Sequence, residues 1–401
     1  MKILAAVEGA AGVLSVLFFA LLVASGWGLM AGYVPSAAEA FDSLLYWRQA
    51  GGWGAFLRSL HVHLASGLVL AGFLHLLARF LRGAHAARPR GWWLAASLYL
   101  LILGLCFTGF LLPMDQKAYW GTIVRLGIIE TAPLVGPPAA DLLRGGPALN
   151  AATLPRFYAL HAAVLPAAAG LLLAWLLRPV LRTGRQRWLP WLGFALAGTV
   201  AAYLLAAAVP APLELPADPA DSDYVARPEW YFLWLFQFGK YVTAVPWVES
   251  LILPVAGLGL LFALPYLPLR RRGRALLATT WCAAWLLLTA LALYEDRDLP
   301  PKLDYERAIV ARAADHYQEH CYDCHGLNGH GDGPQSRAFD LEVPDFAAAA
   351  FWREHDRDEM RAAIRDGKGE DMPAFGDKLE PVAIDALITF LETSFRPQEG
   401  G

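Results

Sequence analysis

The sequence predicts an all-α fold, a seven-span transmembrane helical bundle followed by a soluble α-helical C-terminal domain. Three observations carry that prediction. Of 401 residues, 57% are hydrophobic and 17% charged, against about 25% charged in an ordinary soluble domain. Seven apolar runs, at 3–30, 56–81, 92–112, 157–179, 188–209, 247–269 and 274–294, are each long enough to cross roughly 30 Å of hydrocarbon. At Asp296–Asp304, charge and the Pro300-Pro301 pair end the last run, and the remaining chain is polar. These figures exclude a disordered chain, an ordinary cytosolic globule and a basic nucleic-acid binder. The 15 tryptophans suit a protein with membrane interfaces, where indoles anchor.

Span 1 begins after Lys2, as a leader peptide would, but its apolar run continues past the length of one and no small-residue cleavage site follows. Met1–Ala24 therefore reads as membrane helix. Span 2 carries His61 and His75, 14 residues apart. That is nearly four helical turns, so both face one way about 21 Å apart along the axis. Imidazole ligates haem iron, and two haems stacked across a membrane need two ligands per helix at this separation. Span 4 offers His161 as a partner ligand. Gly12 and Gly26 in span 1 are also 14 apart, and Gly109 in span 3 has Ala95 at the same offset. Glycine permits close approach of a porphyrin, although small residues equally serve helix packing. A histidine on a membrane helix is costly and usually functional. The alternative for each is a hydrogen-bonded core imidazole, and His63, facing away from His61, takes that reading. His85 lies in a basic loop and is expected to be solvated, and Cys106 and Cys282 fill apolar space.

The loops after spans 2, 4 and 6 hold the arginine clusters Arg79 to Arg90, Arg178 to Arg187 and Arg270 to Arg274. By the positive-inside rule these loops face the cytoplasm. The acid-rich Glu214–Glu229 segment and the C-terminal domain then lie outside, the periplasmic side of a bacterial inner membrane.

In the C-terminal domain, Cys321-Tyr322-Asp323-Cys324-His325 reads as a covalent c-type haem site, with two thioether positions and a proximal imidazole. A zinc or thiol-redox reading is disfavoured by the adjacent His325. The distal ligand is expected to be Met372, in Asp371-Met372-Pro373, rather than Met360, which sits in a charged helical stretch. A thioether ligand raises the potential, which suits an electron acceptor. Residues 301–320 and 380–395 are expected to form the first and last helices, with 295–305 as linker. His316, His320, His330 and His355 are expected at the surface. The string Gly326 to Pro334 resembles that of class I cytochromes c.

Longer motifs carry a second resemblance. Arg58-Ser59-Leu60-His61, Thr108-Gly109-Phe110-Leu111-Leu112-Pro113, Tyr119-Trp120-Gly121 and Leu154-Pro155-Arg156-Phe157-Tyr158-Ala159-Leu160-His161 resemble cytochrome b of the bc-type quinol:cytochrome c oxidoreductases. The wording is nearest to the form split into a four-helix cytochrome b and a three-helix subunit IV, and Arg227-Pro228-Glu229-Trp230-Tyr231 resembles the latter. The resemblance divides the chain into a haem-binding core at 1–183, a subunit IV-like region at 184–296 and a cytochrome c domain at 297–401. It implies that His61 and His161 bind an outer haem b, packed by Gly26, Gly109 and Arg58. It implies that Glu229 takes a quinol proton, in a pocket shaped by Tyr231, Pro228, Gly121, Pro113 and Phe110. Phe110 and Met114 stand where the family usually has Tyr and Trp.

One departure matters more. The family has a second histidine on span 4, 14 or 15 residues after the first. Trp175 and Leu176 occupy those positions, and Ala95 replaces a glycine. Both losses fall on the inner haem, leaving His75 and Gly12 without their partners. The expectation is one complete bis-histidine haem b, a second of uncertain occupancy, and one haem c. Quinol is the expected substrate. A separate Rieske iron–sulfur protein is implied, since the chain carries no Rieske Cys/His boxes, together with a periplasmic electron acceptor and a homodimeric complex. The competing expectations are a non-catalytic haem relay that wires a partner enzyme to periplasmic acceptors, and a quinone reductase run in reverse.

Overall fold

The computed structural model describes all residues except 50–52, 183–188, 222, 298, 300–304, 370, 380 and 398–401. The described residues are helical, with two isolated bridges, Asp115 with Pro216 and Lys368 with Met372, in place of strands. They form two compact units, 1–211 with 216–300 and 212–215 with 301–401.

The first unit contains α1 (Lys2–Met30), α2 (Ala40–Gln49), α3 (Trp53–Arg82), α4 (Ala84–Ala87), α5 (Pro89–Gly109), α6 (Gln116–Glu130) and α7 (Gly136–Arg144). It continues with α8 (Thr153–Ala159), α9 (Leu165–Arg182), α10 (Leu189–Ala208), α11 (Leu233–Tyr241), α12 (Leu253–Ala263) and α13 (Arg271–Asp296). Among the described residues, seven stretches are long and apolar enough to cross a membrane: Lys2–Met30, Trp53–Arg82, Pro89–Gly109, Thr153–Arg178, Pro190–Ala208, Val248–Tyr266 and Arg271–Asp296. Each coincides with one of the seven runs expected from sequence. The third ends at Gly109 instead of 112, because the chain turns through Phe110–Pro113 into Met114, whose φ is 49°. Helices α6 and α7 between the third and fourth spans were not anticipated from the hydropathy pattern.

Helices α1 and α3 pack along their length, α5 packs on α3 and α9, and α10 packs against α1 and α3. At the crossing of α1 and α3, a Cβ on Gly67 would come within 2.5 Å of the Phe18 ring, so the approach requires glycine. Phe18, Leu64, Leu68, Val69 and Ile102 form a buried apolar layer, and three of them lie on α3 between His61 and His75.

Two spans contain a widened π-turn, Leu160–Val164 before α9 and Val248–Ile252 before α12. Each is followed at the second residue by a proline, Pro166 and Pro254. Proline cannot donate to the carbonyl four residues back, and the helix accommodates the lost bond by opening one turn. His161 and Glu249, each five residues before its proline, lie in these turns.

The second unit contains α14 (Tyr305–His320), α15 (Tyr322–His325), α16 (Pro334–Phe339), α17 (Ala349–Glu354), α18 (Arg357–Asp366) and α19 (Pro381–Phe395). Its core joins Ala313 and Tyr317 of α14 to Ile384, Leu387, Ile388 and Leu391 of α19. The first and last helices thus pack as expected, although 301–304, 380 and part of the 295–305 linker lie outside the described residues.

Candidate functional site

The rings of His61 on α3 and His161 face each other with centroids 6.1 Å apart. A metal bonded to one nitrogen of each ring at about 2 Å would hold the centroids roughly that far apart. The other nitrogen of each ring is already engaged. His61 Nδ1 is 2.9 Å from Ser25 Oγ, and His161 Nδ1 is 3.0 Å from the Leu105 carbonyl, with Thr108 Oγ1 at 3.4 Å. Such outer partners set the tautomer that leaves Nε2 free for a metal. Gly26 and Gly109 lie against these rings, and a Cβ on Gly109 would stand 2.5 Å from His161 Cε1. This donor set fits a haem iron ligated by two histidines. Arg58 donates to the Ala211 carbonyl at 2.8 Å and so ties α3 to the segment after α10.

His75 has the same local arrangement. Its Nδ1 is 2.9 Å from the Glu8 carbonyl, and a Cβ on Gly12 would approach that ring to 3.0 Å. The Glu8 carboxylate bonds Arg79 and Arg82. Of the residues expected at the facing position, Trp175 is 55% exposed, and neither it nor Leu176 offers a nitrogen for iron. Among the described residues, the His75 level therefore presents one imidazole.

An apolar cavity of about 210 Å³ is lined by Phe107, Gly121, Arg125, Pro228, Phe232 and Glu249, among others. Phe107 adjoins Thr108 and Gly109, which cradle His161. Of the expected pocket residues, Gly121 and Pro228 line this cavity. Phe110 stands behind Gly121, where a Cβ would meet its ring at 2.7 Å, and the Arg125 guanidinium lies 3.6 Å over that ring. The cation–π contact occupies the Phe110 face. Pro113 shapes the turn that Ala217 closes through a 3.0 Å bond to the Met114 carbonyl. Tyr231 packs against the apolar core of the helical bundle together with Cys106. Burial pushes the Tyr231 phenol well above its usual range, with Cys106 and Glu229 adding to the shift. Burial lowers Arg125 to about 10, offset by Tyr231 and Glu229, so it remains a cation at neutral pH.

Glu229 does not line the cavity. Its carboxylate accepts from Lys117 Nζ at 2.8 Å, and its side chain is 33% exposed. The partners are 112 positions apart, and no local pattern announces them. Glu249 and Arg125 are the charged residues that do line it, and sequence reasoning passed over both. A signal for Glu249 existed, since it is a lone carboxylate within the 247–269 apolar run.

His63 bonds the Val209 carbonyl at 2.8 Å, in keeping with a structural role. His85 corrects the expectation of a solvated side chain. It is 1% exposed, packed on Phe80 and Trp92, and its Nδ1 has no partner. Burial, then the Arg274 and Arg79 charges, pull it below the ordinary imidazole range.

In the second unit, Cys321 follows α14 and opens the single turn of α15, with His325 N donating to the Cys321 carbonyl at 2.9 Å. The His325 ring stacks on Phe346 at 4.6 Å. Burial lowers it to about 4, leaving a neutral imidazole, and its Nδ1 is buried without a hydrogen-bond partner. Burial likewise raises the Cys321 thiol to about 12. Gly326, Gly329 and Gly331 adopt φ of 78°, 71° and 71°, which explains the glycine spacing of this loop. Tyr317 Oη donates to the Gly326 carbonyl at 2.7 Å. Two free thiols, a neutral imidazole and a tight glycine loop fit a covalently attached haem. Met372 packs partly buried beside this core with Cys321, whereas Met360 lies within the core. His330 is exposed, and His316, His320 and His355 are half-buried.

Comparison with known proteins agrees with this division. A family model described as "Cytochrome b/b6/petB" matches residues 6–182, and one described as "Cytochrome C oxidase, cbb3-type, subunit III" matches 308–391. The chain is 39% identical over 148 residues to a menaquinol:cytochrome c reductase cytochrome b subunit of Geobacillus thermodenitrificans, covering 36% of this chain and 66% of that one. It is 36% identical over 156 residues to a cytochrome b6 of Prochlorothrix hollandica, covering 39% of this chain and 70% of that one. A solved structure titled "Hyperthermophilic respiratory Complex III" shares the fold, with a TM-score of 0.62 at 22% identity over 74% of this chain and 85% of its own.

Proposed function

This chain belongs to the cytochrome b/b6 family through its N-terminal membrane helices, and we propose that it is the quinol-oxidising cytochrome b–c fusion subunit of a bc-type complex. The supporting observation is the apolar cavity lined by Gly121 and Pro228, whose wall includes Phe107, the residue before the Thr108–Gly109 pair that touches His161. In this reading residues 1–183 form the haem b core, 184–296 correspond to subunit IV, and 297–401 form a class I cytochrome c domain. His61 and His161 hold the outer haem b. Cys321 and Cys324 attach haem c, ligated by His325 and Met372. Bound haems would supply one-electron acceptance next to the cavity and in the C-terminal domain.

The remaining chemistry belongs to the chain. The cavity excludes water and orients the quinol ring between Phe232 and the Gly121 wall. Arg125 holds a positive charge there, which favours departure of a proton. The Lys117–Glu229 pair offers a carboxylate for that proton at the outer edge. A separate Rieske iron–sulfur protein takes the first electron, and the tether to span 7 keeps the c-type acceptor at high local concentration. The complex is dimeric in the bacterial inner membrane, with the cytochrome c domain on the periplasmic side.

Two measurements test this. Glu229→Gln, in the purified complex with its Rieske protein, is expected to slow quinol oxidation by about 10²-fold with both haem spectra intact; unchanged turnover removes Glu229 from the chemistry. A pyridine haemochrome assay is expected to return one haem b for each haem c, and two would place a second haem at His75. The single inner imidazole also favours a second reading, a haem relay without quinol chemistry. Purified complex that neither binds nor oxidises quinol with its Rieske partner present would establish it.

A further inference from the structure

We infer that Glu249, rather than Glu229 alone, is a proton acceptor for the quinol hydroxyl inside the cavity, and this rests on the quinol-oxidising reading above. Four observations converge on it. Glu249 is 8% exposed and lines the same cavity as Gly121, Pro228 and Phe232. Its carboxylate has no hydrogen bond or ion pair among the described residues, whereas Glu229 is held by Lys117. It sits in the π-turn Val248–Ile252, and such turns concentrate at functional sites. Across from it, Gly239 of α11 leaves the space the carboxyl group fills; a Cβ there would collide with both its oxygens.

A buried carboxyl without a partner is expensive, and something that arrives to pair with it offsets that cost. Hydroquinone arrives with two hydroxyl donors at opposite ends of its ring and needs an acceptor for each. The cavity walls are otherwise mostly apolar, with Arg125 as the other charged group and Ser250 as a hydroxyl. Oxidation releases two electrons and two protons. One electron goes to the iron–sulfur partner and one to the b-type haem. One hydroxyl O–H bond breaks with its proton passing to a Glu249 oxygen, converting the carboxylate to the acid. The second proton leaves towards the iron–sulfur partner, and Glu249 resets by passing its proton to the Glu229 carboxylate and from there to outer-side water. In this division Glu229 and Lys117 form the charged outer edge of the site.

The test uses the whole complex with its Rieske protein. Glu249→Gln is expected to lower kcat at least tenfold with KM changed less than threefold and the b-type spectrum unaltered. Glu249→Asp should recover part of the rate. Infrared difference spectra on quinol addition should show a carboxylic-acid carbonyl band that Glu249→Gln removes and Glu229→Gln keeps. Gly239→Ala, which pushes the carboxyl out of its space, should reproduce the kcat loss. Wild-type turnover in Glu249→Gln, or a carbonyl band that persists in it, overturns the assignment while leaving quinol oxidation standing. An inert wild type overturns both.

Discussion

His161→Ala is expected to erase the b-type absorption band while leaving the c-type band in place. His61 and His161 stand 6.1 Å apart by ring centroid, each with Nδ1 engaged by a neighbour and Nε2 left over. Alanine removes one of two strong-field nitrogens, and quinol oxidation should fall to background because no acceptor remains beside the cavity. A graded control comes from Ser25→Ala. It removes only the partner of His61 Nδ1, and loss of such outer contacts costs about 10- to 100-fold in metal retention. Visible spectra of dithionite-reduced membranes check both. A His161→Ala protein with an undisturbed b band would mean that the iron is held elsewhere, and the electron route would have to be redrawn.

The second large effect belongs to the C-terminal unit. Cys321→Ala with Cys324→Ala is expected to abolish covalent haem, so that acid–acetone extraction leaves no haem-staining band at the full-length mass. The b band should persist, because the membrane helices form a compact unit of their own. The soluble unit should also lose stability, since Cys321 and Met372 pack against a core of Tyr317, Phe346 and Leu387 that the haem would complete. His325→Ala should keep the thioethers but change the spin state, separating attachment from ligation. Retained covalent haem in the double variant would exclude Cys321 and Cys324 as its anchors.

Much of the membrane unit was legible residue by residue. The 14-residue interval between His61 and His75 places both on one face of α3 whatever surrounds them, and both rings do bond α1, through Ser25 Oγ and the Glu8 carbonyl. Cys-x-x-Cys-His is equally local, closing within one turn. The expectation for His85 failed because its flanking arginines suggested solvent, whereas Phe80 and Trp92 enclose it. The loop helices α6 and α7 escaped notice because they are too short to register as membrane-crossing runs.

Chain chemistry alone set the number and placement of the spans, the axial level of each imidazole on its helix, and the thioether motif, because helical rise and bilayer thickness are constants that need no neighbours. Folding in three dimensions chose which carboxylate enters the cavity. Glu229 is claimed by Lys117, 112 positions away, and Glu249 fits only because Gly239 leaves room and Pro254 opens its turn. Those outcomes depend on how closely separate helices approach, and distances between helices are written in no single stretch of sequence.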